Sequence, residues 1–430
     1  MNIVFFVLVA SGFAVAGYRQ LIWVGDGTAP MEALAGAMLA AATDAVTLSL
    51  GLVGVMAFFL GLMKVGETGG LLIIIARLVR PLMVRLFPDV PPEHPAMGAM
   101  LLNLSAGLLG LGNAATPFGI RAMQELDRLN ARKGTASNAM VLFLAINTSS
   151  ITILPTTVIA LRTAAGSADP AGIVAPTLAA TIAATAVAIA SAKLLARFFP
   201  ARTIEQVDPP DVPRPFPASS FDTGALAKVP PAPIWASVAA LAALLGFIPA
   251  TLIAGKMLSA WLLPAIAVLF LGFGIVRRVR VYEAFVEGAR DGFEVAVRII
   301  PYLVASLVAI GMARSSGAMD LVIRPLGQVT SHLGLPPEAL TMAVLRSFSG
   351  SGAYGYLASI IQDPAIGPDS RLGYLVSTIQ GSSETTFYVL AVYFGAVGIR
   401  RIRHALAVGL IGDVAGAVFS VIACAALLPG

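Results

Sequence analysis

The chain of 430 residues holds one cysteine, Cys424, and three histidines, His94, His332 and His404. A lone thiol excludes an intrachain disulfide and a thiolate metal cluster. Each histidine stands beside loop-forming residues, and their spacing suits no zinc site. Neither a metal nor an organic cofactor is implied. Charge is scarce: Asp, Glu, Lys and Arg make up 12% of the chain, where a soluble domain carries about 25%. The start of the chain lacks the basic segment and small-residue cleavage site of a signal peptide, so its first apolar run reads as a retained helix. Two catalytic patterns are also missing, the G-x-x-x-x-G-K-[ST] phosphate loop and the G-x-S-x-G nucleophile elbow.

Apolar residues fill the space that charge leaves, at 57%. They fall into many runs of about 20 residues, the length that crosses some 30 Å of hydrocarbon. Asn2–Trp23, Asp44–Met63, Ile173–Phe199, Ile234–Ala254, Leu258–Val276 and Ala405–Leu428 are the clearest. The expected fold class is an all-α polytopic membrane protein, placed in the bacterial inner membrane among its lipids. The net charge of +5 reports basic cytoplasmic loops rather than a nucleic-acid partner. A homo-oligomer remains compatible with the sequence.

One stretch stands outside the membrane. Residues 200–233 are polar and proline-rich, a linker between block 1–199 and block 234–430. The blocks repeat each other in order. Val79-Arg80-Pro81-Leu82 matches Ile323-Arg324-Pro325-Leu326, and Pro91-Pro92-Glu93 matches Pro336-Pro337-Glu338. A Gly/Ser-rich apolar stretch follows in each, NLSAGLLGLGNAATPFG from Asn103 and RSFSGSGAYGYL from Arg346. A polar interruption closes each, NTSSITILPTT from Asn147 and QGSSETTFYV from Gln380. The offset drifts from 244 (Val79 to Ile323) to 233 (Asn147 to Gln380). Four ordered matches are hard to assign to chance.

Basic residues cluster at Lys64–Arg85, Arg121–Lys133, Lys193–Lys228, Arg277–Arg280 and Arg400–Arg403, which marks the cytoplasmic side. On that rule Pro95–Leu126 enters and leaves on one side, a re-entrant hairpin bent at Gly110–Gly119, and Asn138–Leu161 crosses outward. In the second block Glu294–Met312 crosses outward, Leu335–Ile361 is a hairpin entering from outside, and Leu372–Val397 crosses inward. The blocks are then inverted repeats, each with a re-entrant hairpin and a broken transmembrane helix, the plan of many secondary transporters. Arg19 falls on the outside in this arrangement. Leu71–Phe87 and Val281–Glu294 mix charge with apolar residues and suit helices lying in the interface.

The polar interruptions carry the chemistry. Hydrocarbon cannot hydrogen-bond Asn147, Thr148, Ser149 and Ser150, or Gln380, Ser382, Ser383, Glu384 and Thr385. Irregular backbone at membrane depth survives where protein or a water-filled cavity surrounds it. Pro155 or Gly381 could open the helix and turn its carbonyls, amides and half-helix ends into a binding site. The plainer alternative is that these hydroxyls and amides bond neighbouring helices for about 0.6 kcal/mol each. Two dense clusters at matching repeat positions favour a site. The hairpin bends follow the same logic. Gly110, Gly112, Asn113, Thr116, Pro117 and Gly119 form one expected turn, with Asn103 ahead of it; Ser347, Ser349, Gly350, Ser351 and Gly352 form the other. Small-residue helix packing explains glycines alone, whereas the asparagines and serines add ligand groups. Glu384, Arg346, Arg298 and Asp413 are the ionisable groups inside apolar spans, where a charge costs at least about 2.5–3.5 kcal/mol unless paired or solvated. Glu384 could bind a coupling cation, carry a proton or touch substrate. The structural reading pairs Glu384 with Arg346 and Asp413 with Arg298.

These residues carry a family resemblance. LSLGLVGVMAFFLGLMKVGE, LFPDVPPEHPAMGAMLLNLSAGLLGLGNAATPFG and FLAINTSSITILPTTVIALR resemble the spore maturation A proteins. FVEGARDGFEVAVRIIPYLVASLVAIGMARSSGAMD, LRSFSGSGAYGYL and TIQGSSETTFYVLAVYFGAVGIRRIRHAL resemble the spore maturation B proteins. The chain looks like a fusion of the two, both in the gate, or nucleoside recognition, family. That family is similar to the core of concentrative nucleoside transporters and to the membrane part of ferrous iron permeases. The resemblance implies a transporter-like core with two hairpins and two broken helices; it does not imply nucleoside as substrate. Three functions follow for consideration. The first is secondary transport of a small polar solute or organic anion, coupled to a cation or proton. The second is a non-transporting scaffold or regulator in envelope or cell-wall processes, binding a lipid-linked or protein partner. The third, a membrane enzyme, lacks any paired catalytic groups, so no enzyme is expected.

Overall fold

The computed structural model describes residues 2–25, 27–110, 112–199 and 230–428. Only Pro230–Pro233 of the expected linker lies within them, and the side chains of Asn113 and Arg298 are outside the described ones. Helix α1 is Asn2–Leu21. The first repeat then runs α2 (Pro30–Thr68), α3 (Leu71–Leu86), α4 (Pro95–Leu108), α5 (Gly112–Leu129), α6 (Asn138–Thr148), α7 (Thr156–Ala164) and α8 (Val174–Leu195). Helix α9 (Ile234–Val276) precedes the second repeat. That repeat runs α10 (Val281–Ser316), α11 (Ala318–Ser331), α12 (Pro337–Phe348), α13 (Gly350–Ile361), α14 (Arg371–Ser382), α15 (Thr386–Gly395) and α16 (Ala405–Leu427). Each repeat is therefore a long helix, a short amphipathic helix, a helical hairpin, a helix broken in two and a closing span.

The same device turns the chain in both repeats. Gly70 (φ 86°) ends the run from α2 and Gly317 (φ 78°) the run from α10, a left-handed conformation that only glycine adopts freely. At the first of these the axis bends by 71°. The matched Arg-Pro-Leu motifs fall inside the helices that follow, with Pro81 in α3 and Pro325 in α11. Helices α2 and α10 make the most extensive helix pair in the molecule. Glycine lets their backbones meet: a Cβ on Gly292 would lie 2.6 Å from the Cα of Ala57, and one on Gly288 2.4 Å from the Leu60 carbonyl oxygen.

The molecule has two main buried cores, and each draws on both repeats. One gathers Met97, Met100 and Leu101 of α4, Phe143 and Leu144 of α6, and Tyr393 and Phe394 of α15. The other gathers Met342 of α12, Tyr356 and Leu357 of α13, Val376 and Ile379 of α14, and Ile159 and Leu161 of α7. Each hairpin thus packs on the first half of its own broken helix and on the second half of the other. The connection before α6 meets the segment after α15, where Ala136 N donates to Arg401 O at 3.0 Å and Arg400 N to Gly134 O at 2.9 Å. The connection before α14 meets α7, where Arg162 Nη1 donates to Pro368 O at 2.6 Å. The broken helices consequently run antiparallel, and the repeats are inverted.

Several expected elements are drawn differently. The spans 234–254 and 258–276 are run together in α9, whose 43 residues extend about 64 Å at 1.5 Å per residue. Gly255-Lys256-Met257 offers one charge and no proline, too little to stop a helix. The interfacial stretch 281–294 is the start of the 36-residue α10 rather than a separate helix. The first hairpin bends at Leu109–Gly110, not across Gly110–Gly119; Gly112, Thr116, Pro117 and Gly119 lie in the opening turns of α5. Pro117 is the sixth residue of α5, inside the helix, where its missing N–H removes one intrahelical hydrogen bond. The second hairpin turns on Ser349 alone, extended at φ −151°, whose Oγ accepts from Gly352 N at 2.9 Å and caps α13.

Among the described residues, Pro170–Leu195 and Ala405–Leu427 are each long and apolar enough to cross a membrane, and the bent pair Val53–Thr68 and Leu71–Leu86 makes a third candidate. Large apolar side chains are uncovered on the outer helices, including Phe6, Trp235, Trp261, Leu269 and Val414. An outward face of this kind suits lipid as its solvent. The chain is an all-α membrane protein.

The two helix breaks and the polar cluster at their crossing

Helix α6 stops at Thr148 and α7 begins after Pro155, leaving 149–155 non-helical. Helix α14 stops at Ser382 and α15 begins at Thr386, leaving Ser383, Glu384 and Thr385 extended or irregular. The breaks touch directly: Glu384 N donates to Thr148 O at 2.7 Å. A half-helix end of one repeat is thereby satisfied by the backbone of the other. Gly381 does not open α14. It lies inside the last turn, where a Cβ would come 2.9 Å from Cγ2 of Thr177 on α8.

A hairpin tip backs each break. In the first repeat the contact is backbone on backbone, with Ile153 N donating to Leu108 O at 3.0 Å. Gly110 (φ 75°) is obligatory here, since a Cβ would fall 2.1 Å from the Leu154 carbonyl oxygen. Helix α8 adds hydroxyls: Thr185 Oγ1 donates to Ser149 O, and Thr152 N donates to Thr181 Oγ1 at 3.4 Å. In the second repeat the contact is a guanidinium. Arg346, in the last turn of α12, donates from Nη1 to Thr385 Oγ1 at 3.0 Å and from Nη2 to Ser383 O, and pairs with Glu384 Oε2 at 3.3 Å. The Glu384 side chain is 52% exposed while that of Arg346 is buried.

A second polar chain joins the repeats through Tyr393 of α15. Its hydroxyl donates to Asn147 Oδ1 at 3.3 Å and accepts from Asn103 Nδ2 at 3.2 Å. Asn103 Nδ2 also reaches Ala115 O at 2.9 Å, and Phe143 stacks on the Tyr393 ring at 6.0 Å. The close approach depends on Gly119, where a Cβ would lie 2.0 Å from the tyrosine oxygen.

The sequence-derived site residues divide into groups. Asn103, Asn147, Ser383, Glu384 and Thr385 meet across the crossing. Thr148, Ser149, Ser347 and Ser382 spend their hydroxyls on carbonyls of their own helices, Ala145 (for both Thr148 and Ser149), Ala343 and Ile379. What Thr148, Ser149 and Ser383 offer across the breaks is backbone carbonyl. Ser150 lies against the hairpin at Gly107, and Ser351 sits 3.5 Å from Ser349 in the second tip. Gln380 is buried with Oε1 unpartnered. Thr116 is half-buried on α5.

Sequence reasoning left out Tyr393, Thr386 and the role of α16. Gly409, Gly412 and Gly416 bring that helix against Thr386, Ser149 and Ser382, so one face of α16 reaches both breaks. Asp413 lies in the middle of this face. Its expected partner Arg298 is outside the described side chains; the charge that acts on it is Arg346. The signal was legible as G-x-x-G-D-x-x-G, a small-residue seam interrupted by a carboxylate. A separate recess of about 470 Å³ lies away from the breaks, lined by Asn130, Arg132, Ser137, Asn138 and Arg403.

Comparison with known proteins agrees with the duplicated plan. The model of the family described as "Gate: Nucleoside recognition" matches residues 49–164 and 296–400. Spore maturation protein A of Bacillus subtilis is 49% identical over 163 residues, 38% of this chain and 81% of that protein. Spore maturation protein B of the same organism is 47% identical over 165 residues, 38% of this chain and 92% of that protein. Inner membrane protein YjiG of Escherichia coli is 34% identical over 84 residues, 19% of this chain and 55% of that protein. No solved structure matches the chain.

Proposed function

The chain belongs to the Gate, or nucleoside recognition, family, a membrane transporter-like family, and from that premise we propose that it is a multi-pass inner-membrane secondary transporter of a small polar solute or organic anion, coupled to a cation or proton. The observation that carries this reading is the crossing of the two helix breaks, joined by the Glu384 N to Thr148 O hydrogen bond with a hairpin tip behind each. Breaks of this kind expose carbonyls and amides at membrane depth, which a solute replaces water to bind. Antiparallel repeats supply two related ends that can open in turn. Asn103, Asn147 and Tyr393 present uncharged donors and acceptors for the solute; Glu384, half exposed beside Arg346, reports its arrival to the charged side. The inner-membrane placement draws on the printed name of the Escherichia coli relative. Among the described residues no paired catalytic groups accompany Glu384, and the role proposed for it is carriage.

The test is reconstitution in proteoliposomes, preceded by a thermal-shift screen of nucleosides, dicarboxylates and dipeptides. A ligand of the folded state raises its melting temperature by mass action. A solute that stabilises wild type should be taken up by wild type and not by Glu384→Gln at equal folded protein. Uptake by Glu384→Gln at the wild-type rate would remove the role given to Glu384. Stabilisation by lipid-linked precursors alone, without flux, would replace transport with the scaffold reading.

A further inference from the structure

The side chains at the break of the second repeat do not balance. Arg346 brings one positive charge, and Glu384 and Asp413 bring two negative ones. Arg346 is already committed: Nη1 to Thr385, Nη2 to Ser383 and Glu384. Among the described residues, both carboxylate oxygens of Asp413 are enclosed without a hydrogen-bond partner, and so is Thr386 Oγ1. Ser347 of α12 and Thr386 of α15 are the hydroxyls that face the carboxylate, the first donating to Ala343 O and the second without a partner, and Arg346 acts on it from α12. Helices α6, α8, α12, α14 and α15 all pack on α16. Of the charged groups they bring, Arg346 is the one that acts on Asp413, with Glu384 engaged by Arg346 in the adjoining break.

An enclosed carboxylate without a partner is the costliest of polar groups, and at membrane depth it persists when a positive charge joins it. We propose that Asp413, with Thr386 Oγ1 and Ser347 Oγ, forms a monovalent-cation site that takes a proton or Na⁺ and restores neutrality to the Arg346–Glu384–Asp413 group. No bond other than coordination, or the O–H bond of the carboxyl, is formed. The glycine seam gives the site its lever. Gly409 and Gly416 hold α16 against the two flanks of the second break, at Thr386 and Ser382, and Gly412 holds it against Ser149 in the first. A cation joining Asp413 therefore acts on both breaks through one helix. The coupling role rests on the transport reading; the existence of the site does not, because binding is read without flux.

The experiment uses purified full-length protein in detergent, with melting temperature measured in NaCl against choline chloride at constant ionic strength, across a pH series. Wild type is expected to melt higher in NaCl if the site takes Na⁺. If it takes a proton, wild type melts at falling temperature as pH rises, equally in both salts. Either dependence should be lost in Asp413→Asn and weakened in Glu384→Gln, where Arg346, released from Glu384, is left to balance Asp413. A Na⁺ response should also weaken in Thr386→Val, which keeps the carboxylate and removes one ligand, whereas a proton response should survive there. Should Asp413→Asn not fold, the double variant Ser347→Ala, Thr386→Val takes its place: a Na⁺ response must weaken in it, and a pH response must shift its midpoint, because the carboxylate loses both facing hydroxyls. Folded Asp413→Asn, or the double variant in its place, responding to Na⁺ and pH as wild type does would overturn the proposal. Failure of uptake with the cation response intact would fault the transport reading alone.

Discussion

The two repeats use one scaffold for two kinds of contact. In the first, a break spanning 149–155 is closed by backbone and hydroxyl groups, through Leu108, Thr181 and Thr185, with no ionisable side chain in it. In the second, a break of Ser383, Glu384 and Thr385 is closed by Arg346 and flanked by Asp413. The lengths and the chemistry go together. A long irregular segment can fold back and satisfy its own amides, as Thr156 N does on Leu154 O at 2.8 Å. A short one cannot, and a guanidinium with several donors in a fixed fork satisfies its carbonyl and hydroxyl oxygens from outside. Duplication thus left one half with neutral groups suited to recognising a solute and the other with charges suited to coupling.

The ends of the molecule sharpen the comparison, because each is fastened by an arginine reaching from one repeat to the connection of the other. Arg162 of α7 is fully buried. It donates to Pro368 O, Ser167 Oγ and Asp169 O, pairs with Asp369 at 3.0 Å, and lies 4.1 Å over the Tyr374 ring. Arg403, after α15, donates to Ala136 O at 3.1 Å, Asn138 Oδ1 at 2.8 Å and Phe199 O from a half-buried position. Removing a buried ion-pair partner costs about 3–5 kcal/mol; Arg403 makes no ion pair among the described residues, and its hydrogen bonds to carbonyls and Asn138 are partly open to water. Arg162→Met should therefore lower the melting temperature far more than Arg403→Met. It should also raise labelling of a Ser150→Cys probe from the Arg162 end. Equal effects of the two substitutions would mean that the fastenings are equivalent and the ends symmetric.

Next in size is Arg346→Lys. Lysine keeps the charge but cannot span Ser383 O, Thr385 Oγ1 and Glu384 together, and each hydrogen bond to a charged group is worth about 1.5–3 kcal/mol. A clear fall in melting temperature is expected, with the cation response weakened but kept, since the group still lacks one positive charge while the one it has is mobile. Gly110→Ala strikes the same junction in the first repeat. A left-handed non-glycine residue costs of order 1–3 kcal/mol, and its Cβ would displace Leu154. Destabilisation without any change in cation response is the expected result, read by the same melting series. A Gly110→Ala protein with altered cation response would merge what the comparison separates.

Much of this arrangement is legible in the sequence. The interruptions at Asn147 and Gln380 and the hairpins follow from polar residues and glycine that hydrocarbon does not tolerate at random, and the inverted order follows from the basic clusters. Element lengths were less legible. Nothing in a uniformly apolar run marks where it leaves the membrane, so α9 and α10 each absorbed two expected segments. The hairpin bend was misplaced for a related reason: Gly112, Pro117 and Gly119 look like turn residues, yet Gly119 serves to admit the Tyr393 hydroxyl. Tyr393 itself sits in TFYVLAVYFG, where an aromatic among apolar neighbours shows no period that would single it out. The hydroxyl clusters suggest side-chain ligands, whereas several bond their own helix and leave the carbonyls to face across the breaks.

The smallest predicted effect is the most discriminating. Tyr393→Phe removes one oxygen that links Asn147 of the first break to Asn103 of the first hairpin, while leaving the ring stacked on Phe143. A net loss of about 1 kcal/mol is expected for a hydrogen bond of this kind, so melting should shift by little. Solute affinity should fall nonetheless, because Asn103 Oδ1 is already without a partner and the freed Asn147 amide loses its orientation. The dependence on Na⁺ or pH should stay as in wild type, since Tyr393 contacts neither Arg346 nor Asp413 among the described interactions. A Tyr393→Phe protein that binds solute normally but loses its cation response would reverse the assignment, giving recognition to the charged repeat and coupling to the neutral one.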